Sequence, residues 1–234
     1  MEFGVIFAES LSAVKKNIII IAPTIIATLI NLIIASVVIG SDLAALNEKN
    51  FEQVIVALAP RMLTISALNY FSQVITHCVT TAMALDIQNK GTCNVFDGLA
   101  AVVRKGGVIL PASVIILVLM TFAIMLFFLP ALLVCFAFML TFIIIMGEDI
   151  SPVVAMRKSY HTMKDNYSSS IVLFFFLSSV GITVSLLNLI FGQMLYVGVV
   201  LSLFLSGVFM SFATITLLKY YQIIQARQTP CELP

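Results

Sequence analysis

The fold class this sequence predicts is all-α and integral to the membrane. It is a bundle of six transmembrane helices with short amphipathic interfacial helices. Three observations predict it. Hydrophobic residues make up 61% of the 234 and charged residues 10%, against roughly 45–50% and 25% in soluble domains. The charges are spaced so that long runs carry none. Lys and Arg fall overwhelmingly on one side of those runs. A soluble, disordered or disulfide-scaffold chain does not have this composition. The four cysteines form no CxxC pair, so neither a disulfide framework nor a metal site is expected.

The whole chain, 1–234, reads as one transmembrane domain. Residues 4–16 form a first interfacial helix with a basic end at Lys15 and Lys16. Residues 17–41 carry no charge, and a helix needs about 20 apolar residues to cross the bilayer, so the first span is placed at 17–40. Its apolar core is far longer than the ~7–15 residues of a signal-peptide core, and it reads as a retained span. The outward loop 41–61 holds Asp42, Glu48 and Glu52, and Pro60 with Arg61 marks an outer helix lying on the membrane. The second span follows at 62–85.

A second interfacial helix is placed at 95–105. The 42 uncharged residues 106–147 would make a single helix of about 63 Å at ~1.5 Å per residue, twice the bilayer. They therefore divide at Leu129-Pro130 into spans 107–128 and 131–147, because proline disrupts a helix interior. A third interfacial helix covers 152–165, with Ser151 as N-cap and Pro152 at the first helical position. The 53 uncharged residues 166–218 give spans 168–190 and 194–218, divided between Asn188 and Gln193. Transmembrane strands would alternate in polarity, and these runs do not. Backbone groups in lipid must bond internally, which favours helices.

Even-numbered crossings put the termini and the 86–106 and 148–167 loops on one side. That side holds Lys15, Lys16, Lys90, Arg104, Lys105, Arg157, Lys158, Lys164, Lys219 and Arg227, and the other side only Lys49 and Arg61. The positive-inside rule then places both termini in the cytoplasm. The segments FAESLSAVKK at 7–16, FDGLAAVVRK at 96–105 and PVVAMRKSYHTMKDN at 152–166 each precede a span, with Pro23 and Pro111 at similar distances after the first two. Two readings stand: a weak threefold repeat of interfacial helix plus hairpin, or three unrelated amphipathic helices.

Gly98-Leu99-Ala100 before an apolar hairpin, the Leu129-Pro130 turn, GEDISPVVAMRKS at 147–159 and Asn166 opening the next span form a pattern. It resembles the YciC-like inner-membrane protein family. More remotely it is similar to the membrane domain of some glycerophosphodiester phosphodiesterases. The chain departs from the family in having Ala131 after the hairpin proline and no tryptophan at all. The resemblance implies six helices and an inner-membrane address, and no catalytic residues.

The second span is the most polar. At about 100° per residue, Ser66, Asn69, Ser72, Gln73, Thr76, His77 and Thr80 share an arc of about 140°, with Phe71, Val74, Ile75 and Cys78 opposite. The polar side is expected to face the bundle interior. Asn69, Gln73, Thr76, His77 and Thr80 are thus pathway or substrate candidates. His77 is the one ionisable residue well inside a span, and such a residue is either functional or a packing bond. Lys15, Lys16, Arg104, Lys105, Arg157, Lys158 and Lys164 are candidates for lipid head groups or topology signals. Gly198, Ser202 and Ser206, and Gly207 with Ser211, are expected to let the sixth span pack closely within the bundle. No HExxH, GxSxG, P-loop or GxGxxG occurs, so no enzyme is expected and no cofactor. The expected partners are membrane lipids, and other membrane proteins in one reading, with no nucleic acid. The leading expectation is transport or handling of a small solute or lipid through a polar cavity. The alternative is a non-catalytic scaffold for envelope proteins.

Overall fold

The computed structural model describes residues 3–44, 51–191 and 194–228. Among them the chain is helical, with no strand. Among the described residues, five helices are long and apolar enough to cross a membrane: Ile18–Val38, Gly106–Leu126, Phe128–Gly147, Tyr167–Phe191 and Val197–Arg227. The protein is therefore integral to a membrane.

Helix α1 (Phe3–Lys16) buries Ile6, Ser10 and Val14, one stripe at i, i+4 and i+8, and its last turn carries Lys15 and Lys16. Phe7 stacks on Phe176 with ring centroids 4.1 Å apart. Asn17 ends the helix. A 3₁₀ turn at Ile18–Ile21 leads into α2 (Ala22–Ala44), with Pro23 tolerated in its first turn. Helix α3 (Phe51–Lys90) is one helix of 40 residues that runs straight through Pro60. The outer helix expected to end at Pro60 and Arg61 is thus the first part of α3. At ~1.5 Å per residue, 40 residues reach about 60 Å, well beyond a bilayer core. The helix is not among the five.

Gly91 terminates α3 in the left-handed region (φ 73°), and its amide donates to Ile87 O at 3.0 Å, the usual glycine stop. Asn94 then caps α4 (Val95–Arg104), its Oδ1 accepting from Phe96 N at 3.1 Å. Lys105 alone separates α4 from α5 (Gly106–Leu126). The chain reverses at Phe127, whose extended backbone (φ 177°, ψ 164°) joins α5 to α6 (Phe128–Phe138). The break lies two residues before the expected Leu129-Pro130. Pro130 falls in the first turn of α6, where its missing N–H leaves nothing unbonded.

The span that begins at α6 is interrupted at Met139 and Leu140 and continues as α7 (Thr141–Gly147). Ser159 Oγ donates to Ala137 O at this interruption, at 2.8 Å. Helix α8 (Pro152–Asp165) follows with Pro152 in its first turn. Ser151 occupies the N-cap position, but its side chain makes no capping hydrogen bond. Asn166 joins α8 to α9 (Tyr167–Phe191), and α10 (Leu195–Gln228) closes the chain. Of the expected dividing turn, residues 192–193 lie outside the described residues.

Helix α10 packs on α1, α2, α3 and α9, and α3 on α2, α4 and α7. The small residues of α10 face neighbours in the same chain. Ser206 Oγ accepts from Asn188 Nδ2 at 2.9 Å, and Ser211 Oγ donates to Ile20 O at 3.0 Å. The fully buried side chains Met83, Leu140, Ile143, Ile144, Met163, Leu218 and Tyr220 concentrate where α3, α7, α8 and α10 meet. The α5–α6 tip is instead bare, with Phe127 81% exposed and Phe128 74%.

Gly98 sets the approach of α4 to α3. A Cβ there would lie 3.1 Å from Met83 Cγ and 3.2 Å from Val79 O. Gly98→Leu is expected to destabilise the protein by about 1–3 kcal/mol through overpacking. Gly107→Ala, with open space around it, is expected to be neutral. Thermal unfolding in detergent measures both, and equal midpoints for the two variants would contradict the close contact.

Candidate functional site: a charged cleft at one end of the bundle

A chain with only 11 carboxylate side chains commits one of them to three donors. Glu148 sits just after α7. Its Oε1 and Oε2 accept from Lys158 Nζ of α8 at 2.6 and 2.8 Å. Its Oε1 also accepts from Tyr221 OH at 2.5 Å and Gln225 Nε2 at 2.8 Å, both on α10. The Lys158 ammonium lies 5.7 Å from the Tyr221 ring centroid, within cation–π range. Partial burial works to raise the Glu148 carboxyl. The hydrogen bonds from Lys158 and Tyr221 outweigh that, holding it below the ordinary carboxylate range.

Lys105 completes the same end. Its ammonium donates to Ile145 O at 2.9 Å and to Met146 O and Glu148 O at 3.2 Å each. The first two are carbonyls of the last turn of α7, which have no partner within the helix, and the third follows its end. A cation there also meets the negative end of the helix dipole. The ammonium further pairs with Asp149 Oδ1 at 3.0 Å and lowers that carboxyl. Nearby, Lys219 pairs with Glu9, and Gln88 and Gln222 exchange amide hydrogen bonds.

Against this framework lies a cleft of about 1240 Å³. Its rim holds Asp86, Lys90, Asp97, Arg104, Lys105 and Asp149, and its floor Ala82, Leu85, Ala101, Val108, Ile145 and Ile150. Helix α4 forms one wall and has three distinct sides. Gly98 and Val102 are buried, Asp97, Ala100 and Arg104 line the cleft, and Phe96, Leu99 and Val103 are exposed. The arrangement joins fixed charges to an apolar floor, a form suited to binding an amphiphile. Among the described residues no three His, Cys, Asp or Glu side chains gather as metal ligands.

The polar side of α3 divides. Thr76 and Thr80 are buried and His77 is half-buried, whereas Asn69 and Gln73 are exposed. Val74 and Cys78, expected on the outward side, are in the core. The expectation of a single inward polar face is therefore corrected. Helices α4, α7 and α10 claim a side of α3 that runs across the polar and apolar arcs. Asn69 Oδ1 accepts from Asn31 Nδ2 of α2 at 3.0 Å, in an exposed pair. Thr76 Oγ1 donates to Ser72 O at 2.8 Å. Thr80 Oγ1 is buried without a partner among the described residues.

His77 Nδ1 lies 2.8 Å from Thr214 Oγ1 of α10. That hydroxyl already donates its proton to Met210 O at 2.8 Å. It therefore accepts from His77, which assigns the proton to Nδ1. The ring sits edge-on to Phe142. His77 thus bonds α3 to α10 and touches α7.

Of the basic candidates, Lys105 and Lys158 are engaged within the protein, as above. Lys15, Lys16, Arg104, Arg157 and Lys164 are exposed. The cleft acids Asp86 and Asp97, the Glu148 carboxylate, and its partners Tyr221 and Gln225 escaped the sequence reading. Acidic residues bracketing a basic segment were the available signal. Compared with known proteins, the chain matches no family model, no curated protein sequence and no solved structure. The resemblance drawn above rests on its quoted residues alone.

Two outcomes follow from these bonds. A carboxyl whose folded pKa is depressed contributes stability above its unfolded pKa and loses it as pH falls through the folded one. Unfolding temperature is expected to drop on acidification below the ordinary carboxylate range, near 4 to 4.5. Glu148→Gln is expected to cost about 1–3 kcal/mol at neutral pH and to flatten that acid limb. An unchanged limb would assign it to other carboxylates. For the second, His77→Leu and Thr214→Val should each cost about 0.6–2 kcal/mol, and the double variant little more than one alone. Full additivity of unfolding energies would refute the bond.

Proposed function

We propose that the chain is a six-span inner-membrane protein, with both termini cytoplasmic, that binds and handles membrane lipids at the charged cleft. The observation that carries the reading is the cleft itself, in which a charged rim and an apolar floor meet beside an amphipathic helix. Phospholipids have the same division between head and chains. In this reading α3 crosses as well and brings the spans to six. Its packing against α2, α7 and α10, each part of a membrane-spanning helix, supports that. The ten-to-two split of basic residues supports a cytoplasmic cleft. The sequence of short helix, single-residue junction and long helix at α4–α5 and α8–α9, with α1 and α2 arranged similarly, favours the threefold repeat.

The reading keeps lipid handling and relocates its centre from the middle of α3 to its basic end. The Thr214 bond to His77 argues for a packed interior there. No catalytic role is assigned, and the cleft acids serve as binding groups. A second reading, a non-catalytic scaffold for other envelope proteins, draws on the same packed interior.

Ala100 is exposed on the cleft wall, so it can be changed without touching the core. With the four native cysteines replaced, Ala100→Cys is expected to react with a membrane-impermeant thiol reagent only from the cytoplasmic side of sealed vesicles. Ala100→Trp should reduce the phospholipid that copurifies in mild detergent by at least half while leaving the unfolding temperature unchanged. Labelling from the opposite side would reverse the topology. Unaltered phospholipid in the tryptophan variant would remove the lipid-handling reading and leave the scaffold.

A further inference from the structure

Seven charged side chains line the cleft, four acidic and three basic. Most are already committed. Asp86 pairs with Lys90 at 2.8 Å, Asp149 with Lys105 at 3.0 Å and Glu148 with Lys158 at 2.6 Å. One anion, close enough to Lys90 to act on it through space, and one cation, acting likewise on Asp149, have no direct partner. Asp97 and Arg104 make no ion pair or side-chain hydrogen bond among the described residues. They stand on the same side of α4, seven residues apart, about 10.5 Å along the axis. Their side chains reach toward a space whose floor is apolar.

We infer that the cleft takes a zwitterionic phospholipid head bearing a phosphate and a primary ammonium, the phosphate at Arg104 and the ammonium at Asp97. The inference rests on the lipid-handling reading and deepens it. Arg104 offers a guanidinium fork that matches phosphate oxygens. Asp97 offers an acceptor that a primary ammonium can satisfy with N–H donors. A net-anionic head would leave Asp97 facing like charge with its hydration reduced. A trimethylammonium head has no N–H to donate and is normally held in an aromatic cage. None of the described residues lining the cleft is aromatic.

The test uses the purified full-length protein in mild detergent. It is equilibrated with equal amounts of phosphatidylethanolamine, phosphatidylcholine and phosphatidylglycerol of identical acyl chains, and retained lipid is quantified by mass spectrometry. The wild type is expected to enrich phosphatidylethanolamine over the other two by roughly tenfold, the order of one charge-assisted hydrogen bond. Asp97→Asn should bring the ethanolamine-to-choline ratio close to one without lowering total lipid. Arg104→Gln should lower retention of all three. Both side chains are exposed, and unfolding temperature confirms that each variant folds. Equal retention of the three lipids, or a preference for phosphatidylglycerol, overturns the head-group assignment and leaves lipid handling standing. Protection of Ala100→Cys from thiol reagent by soluble phosphoethanolamine as complete as by the phospholipid overturns it in favour of a soluble zwitterion. Lipid retention that Ala100→Trp leaves unchanged removes the lipid-handling reading itself.

Discussion

The Glu148 carboxylate is the point on which the rest of the structure depends. Three donors from two helices converge on it. Those helices begin at residues 152 and 195, so segments remote in the chain are fixed at one atom pair. Removing the carboxylate would leave an ammonium, a phenol and an amide with their hydration already reduced, which is the expensive way to break such a network. Fixing α8 in turn places Ser159 against Ala137 O, where the helix carrying α6 and α7 is interrupted. Lys105, tied to the last carbonyls of α7, fixes the end of α4 and so one wall of the cleft. Fold and candidate site share a single set of charges.

Much of this was legible because hydrophobic spans are long and charge is scarce. The uncharged runs located the helices, but the charge pattern does not mark every end. Gly91 stops α3 and Asn94 starts α4 by local bonding. Pro130 was read as a divider when it is a starter, because the same residue serves at either side of a break. Ser151 occupies a cap position without capping, its side chain accepting no backbone N–H of the first turn.

The polar arc of α3 shows what a helical wheel omits. It ranks residues by polarity around one helix, but burial depends on where other helices lie. Val74 and Cys78 are in the core because neighbours cover them, and Asn69 and Gln73 are exposed despite their polarity. Asn69 meets that position by bonding Asn31. The cleft was illegible for a related reason. Its lining comes from residues 82–90, 97–108 and 145–152, three stretches whose juxtaposition is a tertiary fact. Individually, Asp86 and Asp97 read as ordinary loop charges.

The bare tip between α5 and α6 bears on how the protein enters its membrane. Phe127 and Phe128 turn the chain with no charged or strongly polar residue between Lys105 and Glu148. Moving an ion through hydrocarbon is the steep part of crossing a bilayer, and this hairpin has none to move. Its two arms already hold one another, with Met120 and Cys135 sulfurs 3.6 Å apart. The pair can partition into lipid as one preformed unit, backbone bonds intact, driven by apolar area alone. Lys105 and Glu148 stand at its base, where their bonds tie the hairpin to α8 and α10.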